Sequence, residues 1–213
     1  MDLIKNWILN NLPKDSTILE AGVADGSDTL FFARHFPNGK IYGFEPHESI
    51  LNQAIEKVKH YNNVVLEQKA LDHEIGQKEF YISDRFGDAW GSSSLLEPKD
   101  HLWFHKEITF KTTETVEAVC FDDWITENKI EKIDLAWLDM QGYEPLLLKN
   151  SPLAMSKIEY LYTEVSLIET YSEVTKYEEY KSMLLESGFE VVFEDLPWQD
   201  MGNVLFKKGN DNA

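Results

Sequence analysis

The spacing of apolar residues changes period repeatedly along the chain. Short runs of strand type alternate with segments whose apolar positions recur every three or four residues, as on one face of a helix. Ser16 to Val23 (STILEAGV) is the first strand run. A glycine-bearing turn follows it, and then SDTLFFARHF, a helix pattern with Ser27 or Asp28 as its cap. KIYGFE predicts a second strand ending at Glu45, a helix follows from about His47 to His60, and NVVLEQKAL predicts a third strand. Residues 78–119 break the rhythm. EFYIS and ITFKTTETVEAV have strand character, whereas FGDAWGSSSLLEPKD between them is rich in turn formers, so 84–107 reads as a mobile loop over a site. Alternation resumes with a helix near FDDWITEN, a strand IDLAWLDM, a helix YEPLLLKN, a strand IEYLYTEVS and a helix from about Tyr171 to Ser187. GFEVVFED and NVLFKKG, separated by LPWQDMG, close the chain as an antiparallel pair, and residues 1–14 read as an amphipathic helix lying on the domain. The sum is an α/β fold: a doubly wound, mostly parallel seven-stranded sheet with a C-terminal antiparallel hairpin and an inserted strand pair. Its ligand belongs at the carboxyl ends of the strands.

Composition narrows this picture without redrawing it. With 213 residues, 43% of them apolar and 13% aromatic, residues 1–213 suffice for one domain with a sizeable core. Thirty-eight acidic against twenty basic residues give a net charge of −18, which repels nucleic-acid backbones and anionic membranes, so neither is expected as a partner. Cys120 is the single cysteine; an intramolecular disulfide and a multi-cysteine metal site are excluded, and a reducing cytoplasm is expected. The N-terminal apolar stretch is too short and interrupted to span a bilayer and lacks a signal-cleavage pattern.

The densest chemical signal is Glu20-Ala21-Gly22-Val23-Ala24-Asp25-Gly26, at the junction of the first strand and first helix. Gly22 and Gly26 allow a sharp turn and close approach of backbone to a ligand. Ala24 breaks the Gly-x-Gly-x-x-Gly spacing of a dinucleotide site, which disfavours a nicotinamide cofactor. Glu45 ends the second strand nineteen positions after Gly26, where a carboxylate can accept from both hydroxyls of a ribose. Turn and acid together imply an adenosine ligand; the plainer alternative is a tight turn beside a solvated strand end.

From about Thr17 to Val204 the chain resembles the FkbM family of methyltransferases. EAGVADG looks like that family's cofactor turn and GFEP like its ribose-binding Glu-Pro. KALDHEIGQKEFYIS is similar to its third-strand segment, which is followed by a Ser-Ser-Leu loop, here Ser93-Ser94-Leu95. WLDMQGYEPLLLKNS looks like the family's Lys-Ile-Asp-x-Glu-Gly-x-Glu segment, with Trp137 in place of Lys and Gln141 in place of Glu, both next to the presumed reaction centre. The resemblance implies the class I methyltransferase fold, S-adenosylmethionine as cofactor, and O-methylation of a sugar, glycan or related secondary metabolite. It implies a cofactor set of Glu20, Gly22, Val23, Asp25, Gly26, Glu45, Pro46, Ala70, Leu71 and Asp139.

Transfer to a hydroxyl requires a group that takes its proton. Asp139, at the end of the fourth long strand, is the first candidate; its alternatives are capping the helix near Tyr143 or orienting the cofactor amine. Glu164 ends the next strand and projects to the same edge, as an acceptor for a substrate hydroxyl or, with Asp139, as half of a divalent metal site. Two carboxylates are a weak metal signal, and no metal is expected. His101 and His105 fall four apart, on one face if the segment is helical, as packing residues or, for His105, a relay base. Trp90, Trp103 and Phe104 can stack on a sugar face or seal the loop. Two rivals stand beside this reading. One is an NAD(P)-dependent oxidoreductase, although Tyr177 and Lys181 supply its Tyr-x-x-x-Lys pair only in a late helix. The other is a nucleoside-binding domain without turnover.

Overall fold

The computed structural model describes residues 3–89 and 91–209. The chain opens with helix α1 (Leu3–Asn11) and strand β1 (Thr17–Ala21), then α2 (Ser27–His35), β2 (Lys40–Phe44), α3 (Glu48–Val58) and β3 (Val64–Glu67). An inserted region follows: β4 (Ala70–Asp72), β5 (Gly76–Arg85), β6 (Asp88–Ala89), a short α4 (His101–Phe104) and β7 (Ile108–Cys120). Alternation returns with α5 (Phe121–Glu127), β8 (Ile133–Leu138), α6 (Glu144–Lys149), α7 (Pro152–Lys157), β9 (Ile158–Ser166) and α8 (Tyr177–Glu186). The last strands are β10 (Phe189–Asp195) and β11 (Met201–Lys208).

Seven strands form the main sheet in the order β10-β11-β9-β8-β1-β2-β3, with β11 antiparallel to both neighbours. The chain winds outward through β2 and β3, then returns to lay β8 on the other flank of β1, so the order reverses between β1 and β8. Ligand crevices form outside the strand ends at such a reversal. β8 is buried at five of its six positions, as expected for a central parallel strand covered on both faces. On one face Trp124, Leu147, Leu148, Tyr180 and Leu184 pack with Leu138 and Leu161. On the other, Ile4 and Ile8 of α1 pack with Phe32, Phe36, Trp137 and Tyr160.

Several expectations need correction. Neither Ser27 nor Asp28 caps α2; Gly26 does, in the left-handed region at φ 76, with no side-chain cap. The expected third strand is two, β3 in the main sheet and β4 in the second, because Gln68 and Lys69 carry the chain across. The inserted pair is a four-stranded sheet, β4-β7-β5-β6. α7 went unread, and α8 begins at Tyr177 rather than Tyr171, whose neighbours instead pair with the inserted region. Trp137 is not beside the reaction centre: it lies under α1, stacked on Tyr162 at 3.4 Å.

Candidate active site

Three strand exits meet at the reversal. The Asp139 N–H donates to the Ala21 carbonyl at 2.9 Å, and the Gly22 and Val23 N–H groups donate to the Phe44 carbonyl at 3.1 and 3.2 Å. These bonds tie the ends of β1, β2 and β8 together. A Cβ added to Gly22, whose φ is 84, would lie 1.8 Å from the Asp139 carbonyl oxygen, so only glycine admits this crossing.

Behind the crossing lies a cavity of about 150 Å³. Gly22, Ala24, Glu45, Pro46, Ala70, Leu71 and Asp139 line it, with Phe44, Ile50, Lys69, Phe80 and Tyr143 completing its walls; Gly91, Ser93 and Leu95 reach it from the inserted region. The polar groups are few and converge on an otherwise apolar space, the usual make-up of a small-molecule site.

Glu45 is buried, and its carboxylate accepts from the Ala24 N–H (3.1 Å, Oε2) and the His47 N–H (3.0 Å, Oε1). Each oxygen keeps a lone pair for another donor. Burial pushes its pKa up to about 7, with the two N–H bonds opposing the rise. Pro46 follows it on the cavity wall.

Asp139 is half-buried and accepts from Gln141 Nε2 at 2.8 Å. Burial raises its pKa to about 6, and the Gln141 bond works against that rise. It does not cap α6: the Met140 N–H goes to Glu144 Oε1 at 2.6 Å. Gln141 Nε2 also donates to Glu164 Oε1 at 3.0 Å, so one amide group spans both carboxylates. Burial first, then Asp139, Glu144 and Asp200, raise Glu164 well above the ordinary carboxylate range. The Gln141 nitrogen occupies the gap a shared cation would need. Among the described residues no group of three or more His, Cys, Asp or Glu side chains is arranged around a metal-sized space. Asp139 and Glu164, spanned by that amide, are not arranged as a two-carboxylate cation site.

Four other residues of the expected cofactor set do not line the cavity, and Glu20, Val23 and Gly26 are buried beside it. Glu20 is buried and accepts from Thr29 Oγ1 at 2.7 Å. Val23 packs over Gly43, and Gly26 lies against Ala54. Asp25 binds Lys57 Nζ at 2.6 Å and borders a neighbouring groove with Ile50, Gln53 and Ser92. These residues shape the turn that Gly22 and Ala24 present to the cavity.

His105 falls outside α4 and so shares no helix face with His101. Its Nε2 lies 2.8 Å from Oδ2 of Asp200, which is buried in the β10–β11 turn. Neither residue lines the cavity, and the Asp200 charge adds to the rise at Glu164. Trp103 and Phe104 are exposed; Trp90 lies outside the described residues. Nor is 84–107 a free loop throughout. Ser94 is fully buried and exchanges backbone hydrogen bonds with Tyr81, and its Oγ donates toward the Met140 and Gln141 carbonyls at 3.3 and 3.2 Å.

Two tyrosines without a local sequence signal also stand here, Tyr143 on the cavity wall and Tyr171 beside Gln141. Tyr143 walls the cavity and donates to Asp72 Oδ1 at 2.5 Å. The buried Tyr171 hydroxyl donates to the Ser92 carbonyl at 2.7 Å and lies 3.2 Å from Gln141 Oε1. A tyrosine in an aromatic-rich junction carries no local mark of such a role.

This burial of carboxylates has a measurable consequence. Glu20, Glu45, Asp139, Glu144 and Glu164 all have raised pKa values in the folded chain, about 8 for Glu144 because of its burial. Between the ordinary carboxylate range and these values the folded state binds more protons than the unfolded, so stability falls as pH rises. The ligand-free protein is expected to melt at a higher temperature at about pH 5.5 than at about pH 8. Each such group contributes about 1.4 kcal/mol per pH unit within its window. Scans in about 0.5 M salt, which screens surface repulsion, check this; a melting temperature that rises with pH would refute it.

Residues 20–191 match the Methyltransferase FkbM domain. The 2-O-methyltransferase NoeI of Sinorhizobium fredii is 32% identical over 160 residues, covering 74% of this chain and 66% of that protein, just under two thirds of its length. Among solved structures, Aeropyrum pernix fibrillarin with natively bound S-adenosyl-L-methionine aligns at TM-score 0.53 and 14% identity, over 96% of this chain and 73% of that one. An rRNA methylase from Streptococcus thermophilus aligns at TM-score 0.52 and 13% identity, over 97% and 95%. At such identities these structures attest the fold alone: an α/β methyltransferase sheet of class I. The family match spans most of the sequence, including the glycine turn, Glu45 and Asp139, and on it the chain belongs to the FkbM family of S-adenosylmethionine-dependent methyltransferases.

Proposed function

We propose that this protein transfers a methyl group to a hydroxyl oxygen of a carbohydrate or related secondary metabolite. The observation that carries the reading is the convergence of Gly22, Glu45 and Asp139 on one cavity at the reversal between β1 and β8. NoeI, by name a 2-O-methyltransferase, supports oxygen as the atom methylated.

S-adenosylmethionine, when bound, supplies an electrophilic methyl group on a sulfonium. The chain's own residues do the rest. The free lone pairs of Glu45 would accept from the ribose hydroxyls, and the apolar walls of Phe44, Leu71, Phe80 and Tyr143 would hold the adenine and exclude water. Asp139, whose carboxyl pKa is raised by burial above the usual carboxylate range and so toward the working pH, is the group that would take the acceptor's proton. The proton then passes to solvent. Because the Asp139–Glu164 gap is filled by an amide, we expect turnover to be indifferent to chelators. The setting we assign is cytoplasmic, from the lone cysteine; among the described residues no helix is long and apolar enough to cross a membrane.

Isothermal titration with S-adenosylhomocysteine, followed by incubation with S-adenosylmethionine and a panel of methyl glycosides read by mass spectrometry, tests the reading. Micromolar binding and gain of one CH2 on a glycoside support it. No binding ends it, and methylation of RNA transcripts instead of glycosides replaces the acceptor class. Glu45→Ala is expected to weaken S-adenosylhomocysteine by about tenfold to a hundredfold, the scale of hydrogen bonds to a charged acceptor. Unchanged affinity in the same titration would take the ribose away from Glu45.

A further inference from the structure

Residues 139–142 leave β8 in an unusual path. Gln141 has φ 57, in the left-handed region, and Gly142 follows at φ 93. A non-glycine residue pays conformational strain there unless its surroundings hold it. They hold it closely. Gln141 is 7% exposed, its Nε2 reaches both Asp139 Oδ1 and Glu164 Oε1, and its Oε1 faces the Tyr171 hydroxyl.

Tyr171 links this amide to the inserted region. Its hydroxyl donates to the Ser92 carbonyl at 2.7 Å, and its backbone pairs with Pro98, with Ser172 N–H donating to Glu97 and Lys99 N–H to Thr170. Ser94 Oγ closes the circuit from the other side by donating toward the Gln141 carbonyl. The segment that brings Gly91, Ser93 and Leu95 to the cavity is thereby bonded to the residue that holds the Asp139 carboxylate.

We propose that Gln141 is the positioning residue of the reaction: its amide fixes the Asp139 carboxylate toward the acceptor, and Tyr171 makes that orientation depend on the inserted segment being seated. The inference rests on Asp139 being the base. A carboxylate on a freely rotating side chain samples many directions, whereas one whose Oδ1 is held by an amide that is itself held at both ends keeps its other oxygen in a fixed direction, and orientation of this kind is a large part of catalysis. The amide is suited to the task because it gives both carboxylates a proton donor without surrendering a proton at any working pH.

The test uses the full chain with S-adenosylmethionine and the best methyl glycoside of the panel. Gln141→Leu, similar in size and without donors, is expected to lower kcat by about tenfold to a hundredfold and to leave the Kd for S-adenosylhomocysteine within about threefold. It should also move the acid limb of the kcat profile to higher pH, because Asp139 loses the donor that favours its ionised form. Tyr171→Phe, which removes only the hydroxyl, is expected to lower kcat by a smaller factor with the acid limb moved the same way; it keeps the test alive should the leucine variant fail to fold. Gln141→Asn, too short to reach both carboxylates, should not restore the rate. A pH profile unchanged from wild type in both Gln141→Leu and Tyr171→Phe overturns the proposal. Asp139→Asn run alongside separates the two failures: if it retains turnover, the base assignment falls, whereas an inactive Asp139→Asn beside unaltered Gln141 and Tyr171 variants removes the positioning role alone.

Discussion

Asp139→Asn is expected to lower kcat by about 10²–10⁴, the usual contribution of a positioned general base, while S-adenosylhomocysteine binds within a few-fold of wild type. The substitution is nearly isosteric, and the asparagine Oδ1 can still accept from Gln141 Nε2, so the 2.8 Å contact and the fold around it persist. What is lost is basicity. A carboxylate that burial makes more basic than an ordinary one is replaced by an amide that takes no proton near neutrality. Single-turnover methyl transfer to a glycoside, measured with cofactor saturating, isolates the chemical step from binding. Full activity in that assay would move the base to another side chain, Glu164 first, which shares the Gln141 amide with Asp139.

What the sequence disclosed and what it withheld divide along a physical line. The strand runs, the glycine turn and the acid after the second strand are local features, each written in a few consecutive residues, and they locate Gly22, Glu45 and Asp139 on one sheet edge because parallel strands end on the same side. Gln141 is bound to Glu164 across 23 positions, Tyr171 to Ser92 across 79, and His105 to Asp200 across 95. No periodicity encodes such pairs; the tertiary path makes them. Trp137 shows the converse error. Two positions from Asp139 in sequence, it is turned under α1, because a central parallel strand must fill both faces of the sheet with side chains. The misread cap at α2 has a similar origin: Ser27 looks like a cap by type, but the turn demands a left-handed residue there, and Gly26 supplies it.

Gly22→Ala is expected to have the largest effect on the fold itself. A Cβ at φ 84 costs about 1–2 kcal/mol in backbone conformation alone, and here it would also stand 1.8 Å from the Asp139 carbonyl oxygen, which is backbone and cannot swing aside. The exits of β1 and β8 must then part, and the 2.9 Å bond from Asp139 N–H to the Ala21 carbonyl goes with them. A total loss of about 3 kcal/mol or more follows from adding a lost backbone bond and local repacking to that strain. For a chain of this size that is a fall in melting temperature of about 6–12 °C. The same displacement moves Asp139 and the cavity wall, so S-adenosylhomocysteine affinity should drop at least a hundredfold at temperatures where the variant remains folded. Gly91→Ala is the matched control: among the described residues beyond its chain neighbours, its added Cβ would meet the Ala24 Cβ at 3.9 Å, an ordinary contact, and its melting temperature should stay within about 2 °C of wild type. If Gly22→Ala melted with the control and bound S-adenosylhomocysteine normally, the strand exits would not be locked together as described. The convergence of Gly22, Glu45 and Asp139 would then owe nothing to that glycine.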